Sequence, residues 1–320
     1  MPNLSVAVLG PVGLAKDLGK KGTSSDMTLY DVKRGQDTVS FIEATKYPER
    51  LAPLYYACAM ADAALLVVEK IDAQFGESLL MLDVLQRERG YILLRNFITV
   101  DQIAPLIKGT VAERYTVVED DLVSLRETLL DEAEKQSIPS DQGNGGSTPI
   151  DHHFNVKGVG TVVLGFVARG TVHRHDVVRA LPLAKEAQVR SIQKHDDDFE
   201  IASRGDRVGY ALKGIDAEEL DRGFVLTNQA DVTPHQNVKG RAELVKYWPS
   251  AIREGMVVHL GHWMQFIAAR VISVENSDNW RRPVLELSLD KGVVCPPGAR
   301  GVLMHLEGGK LRIVGSIEIP

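Results

Sequence analysis

The sequence predicts an α/β domain, its parallel-rich sheet covered by helices on both faces, followed by two antiparallel β-barrel domains. Three observations carry this expectation. Apolar strand-like runs alternate with helical patterns up to about residue 136; residues 137–149, SIPSDQGNGGSTP, offer little to bury; beyond them short stretches alternate apolar and polar residues between Gly and Asp turns. The expected domains are therefore 1–136, a linker at 137–149, then 150–233 and 234–320.

Taken in order, the first domain reads as strands LSVAVLG, DTVSFIEA, AALLVVE, YILLRN and YTVVE, with helices near Pro48 to Met60, near Glu77 to Gln86 and from about Asp121 to Lys135. In the last helix Leu122, Leu125 and Leu129 share one face, and Asp120 and Asp121 are capping candidates. After the linker, GTVVLGFVARGTV, DVVRALPL, AQVRSIQ and DRVGYAL read as strands of one barrel. GRAELVKYW, MVVHLGHW, QFIAARVISV, RPVLELSL and RGVLMHLEGGKLRIVGSIEI read as strands of the next.

No apolar run is long enough to cross a bilayer and no signal-like amino terminus is present, so a cytoplasmic, monomeric protein with no membrane partner is expected. Cys58 and Cys295, far apart in apolar surroundings, read as buried, inert thiols. The net charge of -6 is uneven: Lys and Arg against Asp and Glu number 15 and 22 in residues 1–150, 11 and 13 in 151–235, and 11 and 8 in 236–320. Any polyanion contact therefore suits the carboxyl-terminal half. All nine histidines lie at or beyond His152, so the first domain has no imidazole for catalysis or ligation.

The stretches DHHFNVKGVGTVVLGFVARGTVHRHDVV and AQVRSIQKHDDDFEIASRGDRVGYALKGIDAEELDRGFVL carry closely spaced glycines where barrel turns need them. They resemble the second domain of the translational GTPases, nearest to elongation factor Tu and its SelB relative, which carries selenocysteinyl-tRNA. LGKKGTSSD also resembles a small SelB-like group in methanogenic archaea. The resemblance implies that the first domain is a P-loop-type G domain and the third a second elongation-factor barrel.

In that family the first strand leads into GxxxxGK[ST], whose N–H groups cradle phosphate while Lys and a hydroxyl serve phosphate and magnesium. Without gaps, residues 10–17 read GPVGLAKD, keeping Lys16 but placing Asp17 at the hydroxyl position. Alternatively Gly10 to Gly13 is a shortened loop and GLAKDLGKKG the helix after it, with Lys20 and Lys21 at its carboxyl end, where the dipole favours cations. The family's D-x-P-G-H matches Glu43 to Tyr47, so Lys46 replaces the phosphate-sensing Gly and Tyr47 the catalytic His. Guanine selection by N-K-x-D matches Asn96 to Thr99: the Asn remains, the Asp does not. Only 32 residues lie between Gly10 and Glu43, which leaves little room for a first switch segment. The expectation is a degenerate G domain with no cofactor and no catalytic residues. Weak GTP or GDP with magnesium, held through Lys16, Lys20, Lys21 or Lys46, stays open.

For the barrels the resemblance implies tRNA, and with it the ribosome, as partner. Arg190, Ile192, Gln193 and His195 are candidate contacts to the terminal adenosine, with Ile192 or His195 as stacking face; a pairing of Arg190 with one of Asp196 to Asp198 is the competing role. Trp280, Arg281 and Arg282 in NWRRP are candidate RNA contacts. Lys239, Arg241, Lys246, Arg300, Lys310 and Arg312 could reach phosphates or simply form a solvated face. DHH at 151–153 and HRH at 173–175 have spacings a metal site can use, but no third ligand stands out and no metal is expected. Three functions follow: an elongation-factor-like binder of tRNA with a G domain that has lost GTP binding and hydrolysis; a divergent active GTPase; or a protein-interaction scaffold.

Overall fold

The computed structural model describes residues 3–136, 145–275, 279–307, 309 and 311–319. Of the expected linker, 137–144 lie outside the described residues and 146–149 open a strand. The chain divides into two compact units: Met1–Ser137 with Val245–Trp248 and Met304–Gly315, and Ile138–Leu244 with Pro249–Leu303 and Ser316–Pro320.

The first unit is built on seven strands: β1 Asn3–Leu9, β2 Lys20–Ser24, β3 Thr28–Arg34, β4 Asp37–Glu43, β5 Ala63–Val68, β6 Gly90–Leu94 and β7 Thr116–Val118. Their order is β2-β3-β4-β1-β5-β6-β7; β4, β1, β5, β6 and β7 run parallel, and the β2–β3 hairpin is antiparallel at one edge. Every residue of β1 and β5 is buried, which is why both read as unbroken apolar runs. Helices α1 Ala52–Met60, α2 Ala73–Val84, α3 Val100–Ile107 and α4 Leu122–Lys135 follow β4, β5, β6 and β7. Leu125, Leu129, Leu130 and Ala133 of α4 join Leu4, Val6, Val8, Leu65 and Val67 in one core layer. The strand residues between these point to the opposite face, where α1 meets β1 and α2 meets β5.

The segment after β1 departs from the sequence reading. Residues 15–17 make one 3₁₀ turn, and the chain then enters β2, where Lys21 pairs with Tyr30 and Lys20 with Asp31. No helix ends at Lys20 and Lys21, so no helix dipole holds them; both lie exposed on an edge strand, where charge discourages further pairing. Gly13, Gly19 and Gly22 within ten residues weaken a helix, and a Cβ at Gly19 would lie 3.0 Å from the Asp31 backbone. The hairpin occupies the stretch between Gly10 and Glu43. Helix α3 escaped the sequence reading because Pro105 sits inside it. Asp121 caps α4 as expected, accepting from the N–H groups of Val123 and Ser124 at 3.0 and 3.1 Å.

In the second unit β8 Gly146–Val156, β9 Gly160–Phe166, β10 Arg169–His173, β11 Val177–Leu181, β12 Lys185–Lys194, β13 Asp197–Phe199, β14 Ile201–Ser203, β15 Arg207–Lys213 and β16 Val225–Thr227 form one antiparallel sheet. The ring β8-β16-β11-β12-β15-β9 closes through a β8–β9 pairing into a six-stranded barrel, with β10, β14 and β13 attached outside it. Gly165 is required where β9 passes β8: a Cβ there would stand 2.3 Å from the Pro149 carbonyl oxygen. A second barrel closes in the order β17-β20-β19-β18-β21-β22, from β17 Thr233–Leu244, β18 Val257–His262, β19 Gln265–Glu275, β20 Val284–Cys295, β21 Arg300–Met304 and β22 Ile313–Glu318. Among the described residues no helix is long and apolar enough to cross a membrane.

Candidate functional site

The loop after β1 is where a nucleotide-binding domain would grip phosphate. Gly10 is irreplaceable there, because its φ is +147° and a Cβ would stand 2.6 Å from the Val67 carbonyl oxygen of the neighbouring strand. Gly13 follows at φ +100°. These torsions turn backbone N–H groups inward, but the acceptor they meet is internal. Glu43, at the end of β4, accepts from the N–H of Gly13 at 2.8 Å and of Ala15 at 3.3 Å through Oε1. Its side chain is buried, and its Oε2 has no hydrogen-bond partner among the described residues. A phosphate within ~4 Å of that carboxylate would meet a repulsion of about 4 kcal/mol per unit charge at an effective dielectric of about 20. Lys16, the cation of the ungapped alignment, is exposed on the 3₁₀ turn.

Downstream of Glu43, Lys46 is exposed and Tyr47 half-buried. The Tyr47 hydroxyl donates to the Gln74 carbonyl at 3.2 Å. Burial, with the Glu77 carboxylate beside it, pushes the phenol well above its ordinary range, so it stays protonated and supplies no base. Tyr47 also borders a cleft of about 200 Å³ with Gly10, Pro11, Glu69, Asp72 and Phe75, at the carboxyl ends of β1 and β5. Behind it, Arg312 reaches the buried Glu77 and the Pro48 carbonyl.

At the end of β6, where N-K-x-D would select guanine, the groups are spent on structure. Asn96 donates to the Glu69 carbonyl at 3.3 Å. Thr99 precedes α3, and its N–H donates to the Gln102 side chain at 2.9 Å. Arg95 clasps Asp120 with two hydrogen bonds, 2.7 and 2.8 Å, and reaches Glu69 at 3.3 Å, tying together the ends of β5, β6 and β7. Sequence reading missed this triad, since its members are 25 or more residues apart and match no motif; it had Asp120 as a cap candidate.

In the first barrel the candidates separate. Ile192 is fully buried in the barrel core, so it offers no stacking face; strand alternation along β12 turns it inward. Gln193 is exposed and donates to Asp198 at 3.0 Å across the β12–β13 pairing. His195 is half-buried in the following turn at φ +49°. Arg190 is exposed, and its guanidinium donates to the Val159 carbonyl at 3.3 Å rather than to Asp196, Asp197 or Asp198. With Lys185 and Lys213 it lines an open cleft of about 350 Å³ between β9, β12 and β15. The two further cations beside Arg190 were not singled out from sequence, because only the barrel register brings residues 185, 190 and 213 together.

In the second barrel Arg281 stacks over Trp280 at 4.2 Å, and Arg282 pairs with Glu243 at 3.0 Å. Lys239 pairs with Glu275 at 2.7 Å and Lys246 lies over the Tyr247 ring. Lys310 lies outside the described residues. His152 contacts Asp151 at 3.1 Å and His173 lies 3.7 Å from Asp176; no group of three or more metal-ligating side chains gathers among the described residues. Burial pushes the Cys58 thiol to about 12 and the Cys295 thiol to about 11.

A G-domain-like sheet joined to two closed six-stranded barrels is the architecture of the elongation-factor class. Residues 160–227 match elongation factor Tu domain 2. A protein of Methanocaldococcus jannaschii whose own function is uncharacterised is 36% identical over 98% of this chain and 99% of its own length. The selenocysteine-specific elongation factor of the same organism is 26% identical over 95% of this chain and 72% of its own. The crystal structure of SelB from Methanococcus maripaludis with the GTP analogue GppNHp superposes with a TM-score of 0.83 at 21% identity, covering all of this chain and 79% of that one. The chain belongs to the SelB-like translational GTPase family.

Proposed function

We propose that this protein binds tRNA through its barrels, at the ribosome or on the way to it, and that its G-domain-like unit neither binds nor hydrolyses GTP. The observation that carries the second half is the Glu43 carboxylate on the N–H groups of Gly13 and Ala15. A buried carboxylate that already takes the Gly13 and Ala15 N–H groups withholds those two donors from a phosphate, and Tyr47 supplies no base. The first half is supported by the family and by the cleft around Arg190, where Arg190 and Lys213 stand beside Asp216 and the Glu219-paired Lys185 and can meet the phosphate and ribose of an RNA 3′ end. Capture and release of RNA would then follow something other than nucleotide state.

Titration calorimetry with GTP, GDP and ATP plus magnesium tests the second half, with no heat expected; a micromolar constant would instead establish the divergent GTPase. Gel shifts with aminoacylated and uncharged tRNA at two salt concentrations test the first half. Binding that weakens with salt is expected, and failure with every tRNA at low salt would overturn it.

A further inference from the structure

Because β1, β5, β6 and β7 run parallel, the loops that follow them lie side by side along one edge of the first unit. That edge displays apolar side chains to solvent: Val12, Ile71, Phe97, Val100 and Val123. Phe97 is the extreme case, at 102% exposure, with Asn96 and Phe97 both held at positive φ, +54° and +62°. Two consecutive non-glycine residues in the left-handed region are an uncommon way to present a phenyl ring to water, and rows of exposed apolar groups mark interaction surfaces. The surroundings are acidic: residues 69–72, 95–101 and 119–121 hold six carboxylates against Lys70 and Arg95, and residues 10–14 hold no charge. Arg95 is itself bound to Asp120 and Glu69.

We propose that this edge is a docking surface for a basic protein, with Phe97 as the anchor that enters an apolar cavity of the partner and the carboxylates of the rim facing its lysines and arginines. Aromatic anchors ringed by complementary charge are a common composition of protein interfaces. RNA and anionic membranes fit poorly, because the same carboxylates repel phosphate. The inference rests on the reading that this edge carries no nucleotide, but its test uses neither nucleotide nor tRNA, so the two can fail separately.

The test places the photoreactive residue p-benzoylphenylalanine at position 97 of the full chain and, as control, at the exposed Ile272 of the second unit. Both proteins are irradiated in nuclease-treated extract of the source organism, and the adducts are identified by mass spectrometry. Adducts specific to position 97 with proteins of isoelectric point above about 9 are expected, falling about tenfold when Asp101→Lys and Glu119→Lys are combined, and falling with added salt. An unchanged melting temperature of that double variant separates lost docking from lost folding. Adducts shared with the control, adducts with acidic proteins, RNA or a second copy of this chain, or no adduct at all would each overturn the proposal.

Discussion

Arg312 and Glu77, 235 residues apart in sequence, meet in a two-pronged ion pair of 3.0 and 2.5 Å within the first unit. The Arg312 backbone N–H adds a contact to the same carboxylate at 3.3 Å, and its guanidinium also donates to the Pro48 carbonyl at 3.2 Å. Glu77 is 5% exposed, and the Arg312 guanidinium is the cation it meets. Arg312→Ala should destabilise the protein by about 3 kcal/mol, because it leaves a buried carboxylate unpaired, whereas Arg312→Ala with Glu77→Leu should recover much of the loss. Urea denaturation of the three proteins measures both numbers.

Glu43 is expected to be structural. Glu43→Ala strips the acceptor from the Gly13 and Ala15 N–H groups and should cost about 2 kcal/mol, whereas Glu43→Gln keeps an acceptor oxygen and should cost less. Amide hydrogen exchange gives the local readout: protection at residues 13 and 15 should fall in the Ala variant and persist in the Gln variant. Equal exchange in all three proteins would show that the carboxylate does not hold the loop.

Asp151 sets an acid limb. Its burial alone would raise the carboxyl, but the Arg207 guanidinium at 2.7 Å and the His152 hydrogen bond outweigh that and hold it down at about 2. A carboxylate lowered on folding contributes stability that is full above the unfolded value of 3.8 and is lost as pH falls from there through about 2. The amount is about 2 kcal/mol. Stability measured between pH 5 and 2 should show this fall in the native protein and lack it in Asp151→Asn.

His262 acts in a higher window. Burial lowers its imidazole to about 4, against a smaller opposing effect of the contact between Nδ1 and the Arg300 carbonyl. The folded state therefore resists a proton that the unfolded chain accepts. Stability should be unaffected above pH 6.5 and should decline by about 3 kcal/mol as pH falls from 6.5 to 4. His262→Asn should flatten that part of the pH profile.

Arg190 is the test residue for RNA binding. Because its side chain is exposed, Arg190→Ala should leave the melting temperature unchanged. It should weaken tRNA binding by about tenfold and reduce the slope of log affinity against log salt by about one. Ile192→Ala should instead lower stability by about 3 kcal/mol, since it opens a cavity in the barrel core, and should change tRNA binding only through folding.

Much of the fold was legible because its signals are local. Unbroken apolar runs marked β1 and β5, alternation marked the barrels, and an Asp before a leucine-striped segment marked α4. The stretch after Gly10 was not legible as a strand. Its polar residues satisfy β2 only because β3 lies beside them, and nothing within KKGTS records that partner. The candidate site divides the same way. Loss of the family's Gly, His and Asp could be read directly at Lys46, Tyr47 and Thr99. The carboxylate that fills the loop at Gly13 and the cations that gather around Arg190 could not.

The sequence by itself determined the order of domains, their family, and which residue types stand at each nucleotide-handling position, because these are written in local pattern and motif. Only the tertiary structure decided what those residues do. Whether Glu43 faces metal, water or the loop, whether Ile192 meets a base or the core, and which cations share a cleft all depend on sheet register and strand order. Those place side chains 25 to 235 residues apart within hydrogen-bonding distance, and pairing across such separations is set by burial and hydrogen-bond satisfaction over the whole fold.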